Sequence, residues 1–351
     1  MALQVYTLEQ HEEWDNIVRL FEKFDTYWLS GYVKAFKIHG DGEPLLFYYE
    51  GKGNDEGIRG INAVIKRDIQ NDQRFADKVE KNTLFDFVTP YGYGGWLIEN
   101  KLEKDTAQLF IDYERWCIKN NIVSEFVRFH PVIKNHLDCK NAYDVIELGK
   151  VITMDLTSPE IIWKNIVSKN RNVIRKAIKN DVVVYNGRYP EIFETFRTIY
   201  NKTMDKDEAD KYYYFEPEFY ESIMNDLSEN AQVFYAVKDD VVIAAAIMLG
   251  SNGMIDYHLS GSLREYSSMA ATNLILYKTA LWGSANGYKS LYLGGGVGSG
   301  EDSLFKFKRA FYKGDLNHFN IGKKIFIQEK YDELVNMREE TDGSFFPKYR
   351  A

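Results

Sequence analysis

The chain has 351 residues, 45% of them hydrophobic and 27% charged, with a formal net charge of −8. That is a folded, globular composition, long enough for two domains. Its acidity excludes a general nucleic-acid coat but leaves room for a local basic patch. Two cysteines without metal-type spacing and six scattered histidines exclude a disulfide framework and point to no metal site.

The N-terminal stretch MALQVYTLEQHEEW lacks a basic-then-apolar leader pattern. No apolar run approaches the ~20 residues that cross a bilayer. A cytoplasmic protein with at most peripheral membrane contact is the expectation.

LLFYYEG reads as a strand, GNDEG as a turn and IRGINAVIKRDI as a second strand. FDFVTPYGYGG is a third strand that runs into a glycine loop. Its Tyr91, Tyr93 and Trp96 are either core packing or an aromatic wall that stacks on a sugar or base. The spacing of Leu109, Phe110, Tyr113, Trp116 and Cys117 predicts a helix, with Asp105 as N-cap. IVSEFVRF is the next strand. Arg128 and His130, just before Pro131, sit where buried polar ties are common.

SPEIIWKNIVSKNRNVIRKAIKN predicts one helix, capped by Ser158, with Ile162, Ile166, Val173 and Ile174 on its apolar face. The rest of it is basic: Lys164, Lys169, Arg171, Arg175, Lys176 and Lys179. No acidic residue lies between Ile161 and Asn180. This is either a solvated face or a contact for an anion such as tRNA, a nucleotide diphosphate or a lipid phosphate, with Lys169, Arg171 and Arg175 as candidates.

Next come the strands AQVFYAV and VVIAAAIMLG, the strand MIDYHLSGS, a helix SMAATNLILYKTALWGSANG closed by Gly287, and the strand YKSLYLGG. The order strand–strand–strand–helix–strand thus occurs twice. An internal repeat follows, with a boundary near 148–155 and domains at 1–150 and 151–351, the C-terminal tail packing back on the first. The order is that of the GNAT acyltransferase core. The expected class is α/β with mixed sheets, two such domains in tandem.

LYLGGGVGSGEDSLFKFKRAF, residues 291–311, is rich in glycine yet is not a nucleotide loop. A P-loop needs GxxxxGK[ST], and here Glu301 and Asp302 follow Gly300, where they repel a phosphate. Gly294 and Gly296 also fail GxGxxG, because Ser299 holds the last place. A helix capped by Asp302 or Ser303 puts Phe307 and Phe311 on one face with Lys308 beside them. Such a lysine either donates to a developing oxyanion or is an ordinary exposed one. Lys306 points elsewhere. A coenzyme A turn, [QR]xxGxG/A, is matched only in part by SLREYSSMAAT. Arg264 fills its first place, while Ser267 stands where glycine belongs. The amides that open that helix remain able to bind an anion.

The run YHLSGS at 257–262, the helix closed by Gly-Tyr, LYLGGG and SLFKFKRAF resemble the C-terminal half of the Fem peptidyltransferases. Those are tandem-GNAT enzymes that add amino acids to peptidoglycan precursors from aminoacyl-tRNA. Tyr257, Gly261, Ser262, Phe307, Lys308 and Phe311 match residue by residue. SKNRNVIRKAIKN, TPYGYGGWL and FVRFHPV resemble further segments of Fem-like proteins. The resemblance implies that Lys308 stabilises the carbonyl under attack and that Phe307 shapes its pocket. It implies a substrate role for Tyr257, and Lys34 in GYVKAF loosely matches the lysine that holds the precursor's phosphates.

The family's substrate-binding arginine has no counterpart, since no arginine lies between Arg197 and Arg264. That argues against the usual muramyl-pentapeptide acceptor. The implied activity is transfer of an aminoacyl or acyl group to an amine of a nucleotide- or lipid-linked envelope precursor. No bound cofactor is implied; the donor is aminoacyl-tRNA or acyl-CoA, and DNA is not a partner. One rival is an acyl-CoA N-acyltransferase acting on a nucleotide-linked amino sugar. Another is a non-catalytic module that binds envelope sugars or tRNA.

Overall fold

The computed structural model describes residues 2–51, 57–338, 343 and 345–351. The GNDEG turn, apart from Gly57, lies outside the described residues. In chain order come β1 (Ala2–Tyr6), α1 (His11–Arg19), α2 (Ser30–His39), β2 (Glu43–Glu50), β3 (Arg59–Asp68), β4 (Phe85–Val88) and β5 (Leu97–Glu99). Then follow α3 (Glu103–Lys119), β6 (Ile122–Arg128), the short α4 (His136–Cys139) and β7 (Asp144–Asp155). The next elements are α5 (Pro159–Asn165), α6 (Ser168–Lys179), β8 (Val183–Gly187), α7 (Pro190–Lys206) and α8 (Pro217–Asp226). They lead to β9 (Ala231–Lys238), β10 (Val241–Ser251), β11 (Met254–Ser262), α9 (Ala271–Ala285), β12 (Ser290–Gly294) and α10 (Ser303–Arg309). The chain closes with β13 (Asn317–Ile325) and α11 (Gln328–Asn336).

Two compact units divide the chain. The first holds Met1–Leu148 with Phe319–Ala351, and the second holds Gly149–His318. In the first, β1, β2, β3 and β4 pair antiparallel in that order, β4 pairs parallel with β6, and β6 pairs antiparallel with β13. In the second, β8, β9, β10 and β11 pair antiparallel in order, β11 pairs parallel with β12, and β12 pairs antiparallel with β7. The run of directions is the same. The repeat seen in the sequence is therefore a repeat of topology, mixed α/β in both units. The one parallel pair in each sheet follows from the helix between its strands, α3 or α9, because a parallel pair needs a crossover.

The first core gathers Phe47, Phe87, Trp96, Leu109, Tyr113 and Val127. The second is built on β10, whose residues Ile243–Leu249 are all buried. A strand buried on both faces reads as a continuous apolar run, which is why VVIAAAIMLG shows no alternation. The helices α9 and α7 both pack on β10. The tail is tied into the first unit by polar bonds, with Tyr349 Oη to Ser124 Oγ at 2.7 Å and Arg350 Nε to Asp86 Oδ2 at 2.6 Å.

Two local expectations change. The helix expected from Asp105 starts at Glu103 with Leu102 in the cap position, so Asp105 lies in the first turn, where it complements the helix dipole instead. The single basic helix is two, α5 and α6, because Ile166 and Val167 are extended. These β-branched residues tolerate extension, and the Val167 amide donates to the Ala310 carbonyl at 3.0 Å, a long-range bond that ends the helix.

Candidate active site

The site is built by β12, the glycine loop after it and α10. Asp302 is the N-cap of α10, accepting from the Phe305 amide at 2.8 Å through Oδ1. Its other oxygen, Oδ2, accepts from the Val297 amide at 3.2 Å. One carboxylate thereby ties the loop to the helix. Gly296 makes this approach possible: a Cβ there would lie 2.2 Å from the Gly300 carbonyl and 2.3 Å from Asp302 Oδ1.

With the helix start fixed, the side chain of Lys308 turns back toward β12, and its Nζ donates to the Gly295 carbonyl at 2.8 Å. Burial pulls the ammonium down from its usual 10.5 to about 8, partly offset by the charge of Asp302. Phe307 is half-buried, with its ring edge-on to Phe311 at 5.5 Å, and Phe311 is fully buried. Phe305 is the buried aromatic of α10 itself, whereas Leu304 is exposed. Lys306 is exposed too.

The Tyr-His-Leu-Ser-Gly-Ser run forms the end of β11. Tyr257 donates to Ser260 Oγ at 2.6 Å, and burial pushes its phenol up to about 12. Gly261 serves packing: a Cβ there would lie 2.8 Å from Tyr200 Cα and 2.9 Å from the Ile199 carbonyl, both in α7. Beside it the Ser262 amide donates to Thr203 Oγ1 at 3.0 Å. Two of the matched motif residues thus dock α7 on the sheet. Arg264 is exposed on a short 3-10 turn, Arg264–Met269.

Near the start of α9, Ala270 is left-handed and no side chain caps the helix. Asn273 in its first turn donates to Asn170 Oδ1 at 2.8 Å. Asn170 is buried, and its Nδ2 has no hydrogen-bond partner. Sequence reading missed this asparagine pair, since its members lie on α6 and α9 and share no local pattern. On α6, Lys169 and Arg175 are exposed and Arg171 is half-buried. Arg171 donates to the Trp163 carbonyl at 3.3 Å, and the two guanidinium carbons lie 5.9 and 5.1 Å from the Trp163 ring centre. The Lys313 ammonium reaches the Lys164 carbonyl at 3.1 Å, which extends the basic face toward the end of α10.

In the first unit, Lys34 is exposed on α2. Trp96 is fully buried, at right angles to Tyr113, so its ring fills the core and offers no face to a ligand. Tyr91 and Tyr93 are half-buried. Tyr91 stacks on Phe36 at 5.7 Å, and Tyr93 meets Tyr27 at 5.4 Å and the His130 ring at 5.3 Å. His130 is tied down on both ring nitrogens: its Nδ1 accepts from the Ile133 amide at 3.1 Å, which leaves Nε2 to donate to Asp25 Oδ2 at 2.8 Å. Both side chains are fully buried.

The two sheets repeat one mixed topology, and the second unit carries the part-buried lysine of α10. Residues 168–309 match the acetyltransferase (GNAT) domain family. The whole chain has the fold of FemX: the crystal structure of that protein superimposes with a TM-score of 0.71 over 95% of this chain and 99% of the other, at 12% identity. The C-terminal domain of a candidate lysylphosphatidylglycerol synthetase from Agrobacterium fabrum superimposes with a TM-score of 0.56, 13% identity and coverage of 90% and 91%. L-PGS from Bacillus licheniformis gives 0.55, 11% identity and coverage of 93% and 94%. No curated protein matches the chain. Among the described residues no helix is long and apolar enough to cross a membrane.

Proposed function

We propose that this protein transfers an aminoacyl or acyl group to an amine of a cell-envelope precursor, a peptidoglycan or surface-polysaccharide intermediate carried on a nucleotide or a lipid. The observation that carries the reading is the Lys308 ammonium, half-buried beside Phe307 and held by a single acceptor, the Gly295 carbonyl, among the described residues. An ammonium has three N–H donors, so two are left for a substrate carbonyl.

The acceptor amine attacks the carbonyl carbon of an ester (aminoacyl-tRNA) or a thioester (acyl-CoA). The C–N bond forms and the oxygen takes up negative charge. That charge falls to Lys308, in a setting where partial burial strengthens the interaction. Collapse breaks the C–O or C–S bond, and the proton lost by the amine ends on the leaving hydroxyl or thiol. Positioning supplies much of the rate. The exposed cations of α6, Lys169 and Arg175, with Arg171 beside them, give a polyanionic donor such as tRNA a place to lie.

A second reading, acyl-CoA as donor to a nucleotide-linked amino sugar, is favoured by the uncapped start of α9 beside the Asn170 amide, since free amides and a buried N–H both suit an anion. A mass-shift assay decides. The protein is incubated with sugar nucleotides or muramyl peptides and either charged tRNA or acetyl-CoA. An added aminoacyl or acetyl mass that Lys308→Met abolishes is expected. Product formed equally by wild type and Lys308→Met overturns the role of Lys308, and no product from any combination overturns the activity.

A further inference from the structure

We infer that Asp302 is the positioning residue of this site: it clamps the glycine loop to α10 and sets a negative charge beside Lys308. The inference rests on the function proposed above for its purpose, but not for its geometry. Two facts carry it. The first is the division of labour between the carboxylate oxygens, Oδ1 on the Phe305 amide at 2.8 Å and Oδ2 on the Val297 amide at 3.2 Å. The second is the close fit against Gly296, whose Cα leaves no room for a side chain on the Asp302 side. The loop carbonyl that receives Lys308 belongs to Gly295, the next residue, so the clamp fixes the lysine's acceptor as well as its helix.

The groups facing Lys308 are few. From the cap of its own helix comes the charge of Asp302. From the loop and β12 come backbone atoms, the Gly295 carbonyl and the Cα of Gly294. From β7 the nearest charge to the loop is Lys150, which is spent on Glu301 at 3.0 Å, with both side chains about half exposed to solvent. The charge of Asp302 thus works against the burial that lowers the Lys308 ammonium. Neutral side chains cap helices nearly as well as aspartate does. An aspartate at this place does two further things, since an asparagine has one acceptor oxygen for two amides and carries no charge.

The test reads Lys308 directly, without any substrate. Competitive labelling with acetic anhydride across pH, located by peptide mass spectrometry, gives the titration midpoint of Lys308, with Lys306 as the control in the same helix. In Asp302→Asn the Lys308 midpoint is expected to fall while that of Lys306 stays, and the Val297 amide is expected to exchange faster with deuterium. Asp302→Glu is expected to restore the midpoint in part, because the charge returns on a longer stem, but not the Val297 protection. Should Asp302→Asn fail to fold, Gly296→Ala presses on the same carboxylate from the loop side and is expected to lower the midpoint likewise. An unchanged Lys308 midpoint in a folded Asp302→Asn or Gly296→Ala protein overturns the inference. With a substrate in hand, Asp302→Asn is expected to lower kcat about 10- to 100-fold with little change in KM, as misplacement of a reacting group does. Failure to find any substrate would sink the proposed activity yet leave labelling and exchange to decide the role of Asp302.

Discussion

Lys308→Met separates what the lysine does for chemistry from what it does to stability. An ammonium drawn from 10.5 to about 8 is held at a cost of about 3 kcal/mol, at 1.36 kcal/mol per unit. The side chain is partly exposed, so that figure is an upper value. The sign follows from proton counts. Between pH 8 and pH 10.5 the unfolded chain still holds a proton that the folded protein has released, so wild-type stability rises across that window. Below pH 8 both states carry the proton and the full cost stands. Methionine keeps the stem and drops the charge. The variant is therefore expected to be more stable than wild type at pH 7, by up to about 3 kcal/mol, with the difference shrinking toward pH 10.5.

Activity is expected to move the other way, falling about 10²- to 10³-fold as it does when a single oxyanion donor is lost. In the wild type, the rate should decline above pH 8 as the ammonium deprotonates. Urea unfolding of both proteins at several pH values, beside the mass-shift assay, checks all of this. A Lys308→Met protein that is less stable than wild type at pH 7, or that shows the same rise in stability toward pH 10.5, refutes the account of Lys308 as a strained, buried cation.

Gly261→Ala sets a methyl group against the backbone of α7 at 2.8–2.9 Å and should destabilise the second unit by about 1–3 kcal/mol, read as a lowered urea midpoint. Asp25→Asn weakens a fully buried hydrogen bond from His130 to a carboxylate and should cost about 1.5–3 kcal/mol, with no change in the Lys308 labelling midpoint. If charged tRNA is the donor, Lys169→Gln with Arg175→Gln should raise its KM and flatten the dependence of KM on salt, leaving turnover at saturation in place; an unchanged salt slope would remove α6 from the donor site.

Much of this was legible in the sequence because it is local. Asp302 and Ser158 cap helices as their positions suggest, and the twofold strand–helix order announces the repeat. What was hidden depends on partners far along the chain. The break at Ile166–Val167 comes from the Ala310 carbonyl. The burial of Trp96 comes from Leu109 and Tyr113 closing over a loop that, read alone, is as fit for a ligand as for a core. The Asp25–His130 pair joins residues that no spacing rule connects. The same limit holds for Lys308: its place beside Phe307 is a matter of chain order, but its acceptor is a glycine carbonyl across a loop, which no spacing rule identifies.

The repeat itself explains why one unit carries the candidate chemistry. In each, the parallel strand is followed by a loop and a short helix: after β6 come residues 129–135 and α4, and after β12 come residues 295–302 and α10. In the first unit the loop's polar groups are used on one another. The His130 amide donates to Asn135 Oδ1 at 2.9 Å, and Asn135 Nδ2 donates to the Gly94 carbonyl at 2.9 Å, all of them buried. In the second unit glycines fill much of the loop, Asp302 ties it to the helix and Glu301 pairs with Lys150 at 3.0 Å, and the helix presents a half-buried cation with one acceptor among the described residues. A satisfied, buried network rigidifies a fold, whereas an ammonium with donors to spare is costly unless something binds it. Two copies of one topology thus differ at this loop, with a closed buried hydrogen-bond network in the first and a partly bonded lysine in the second. The difference lies in which side chains follow the parallel strand.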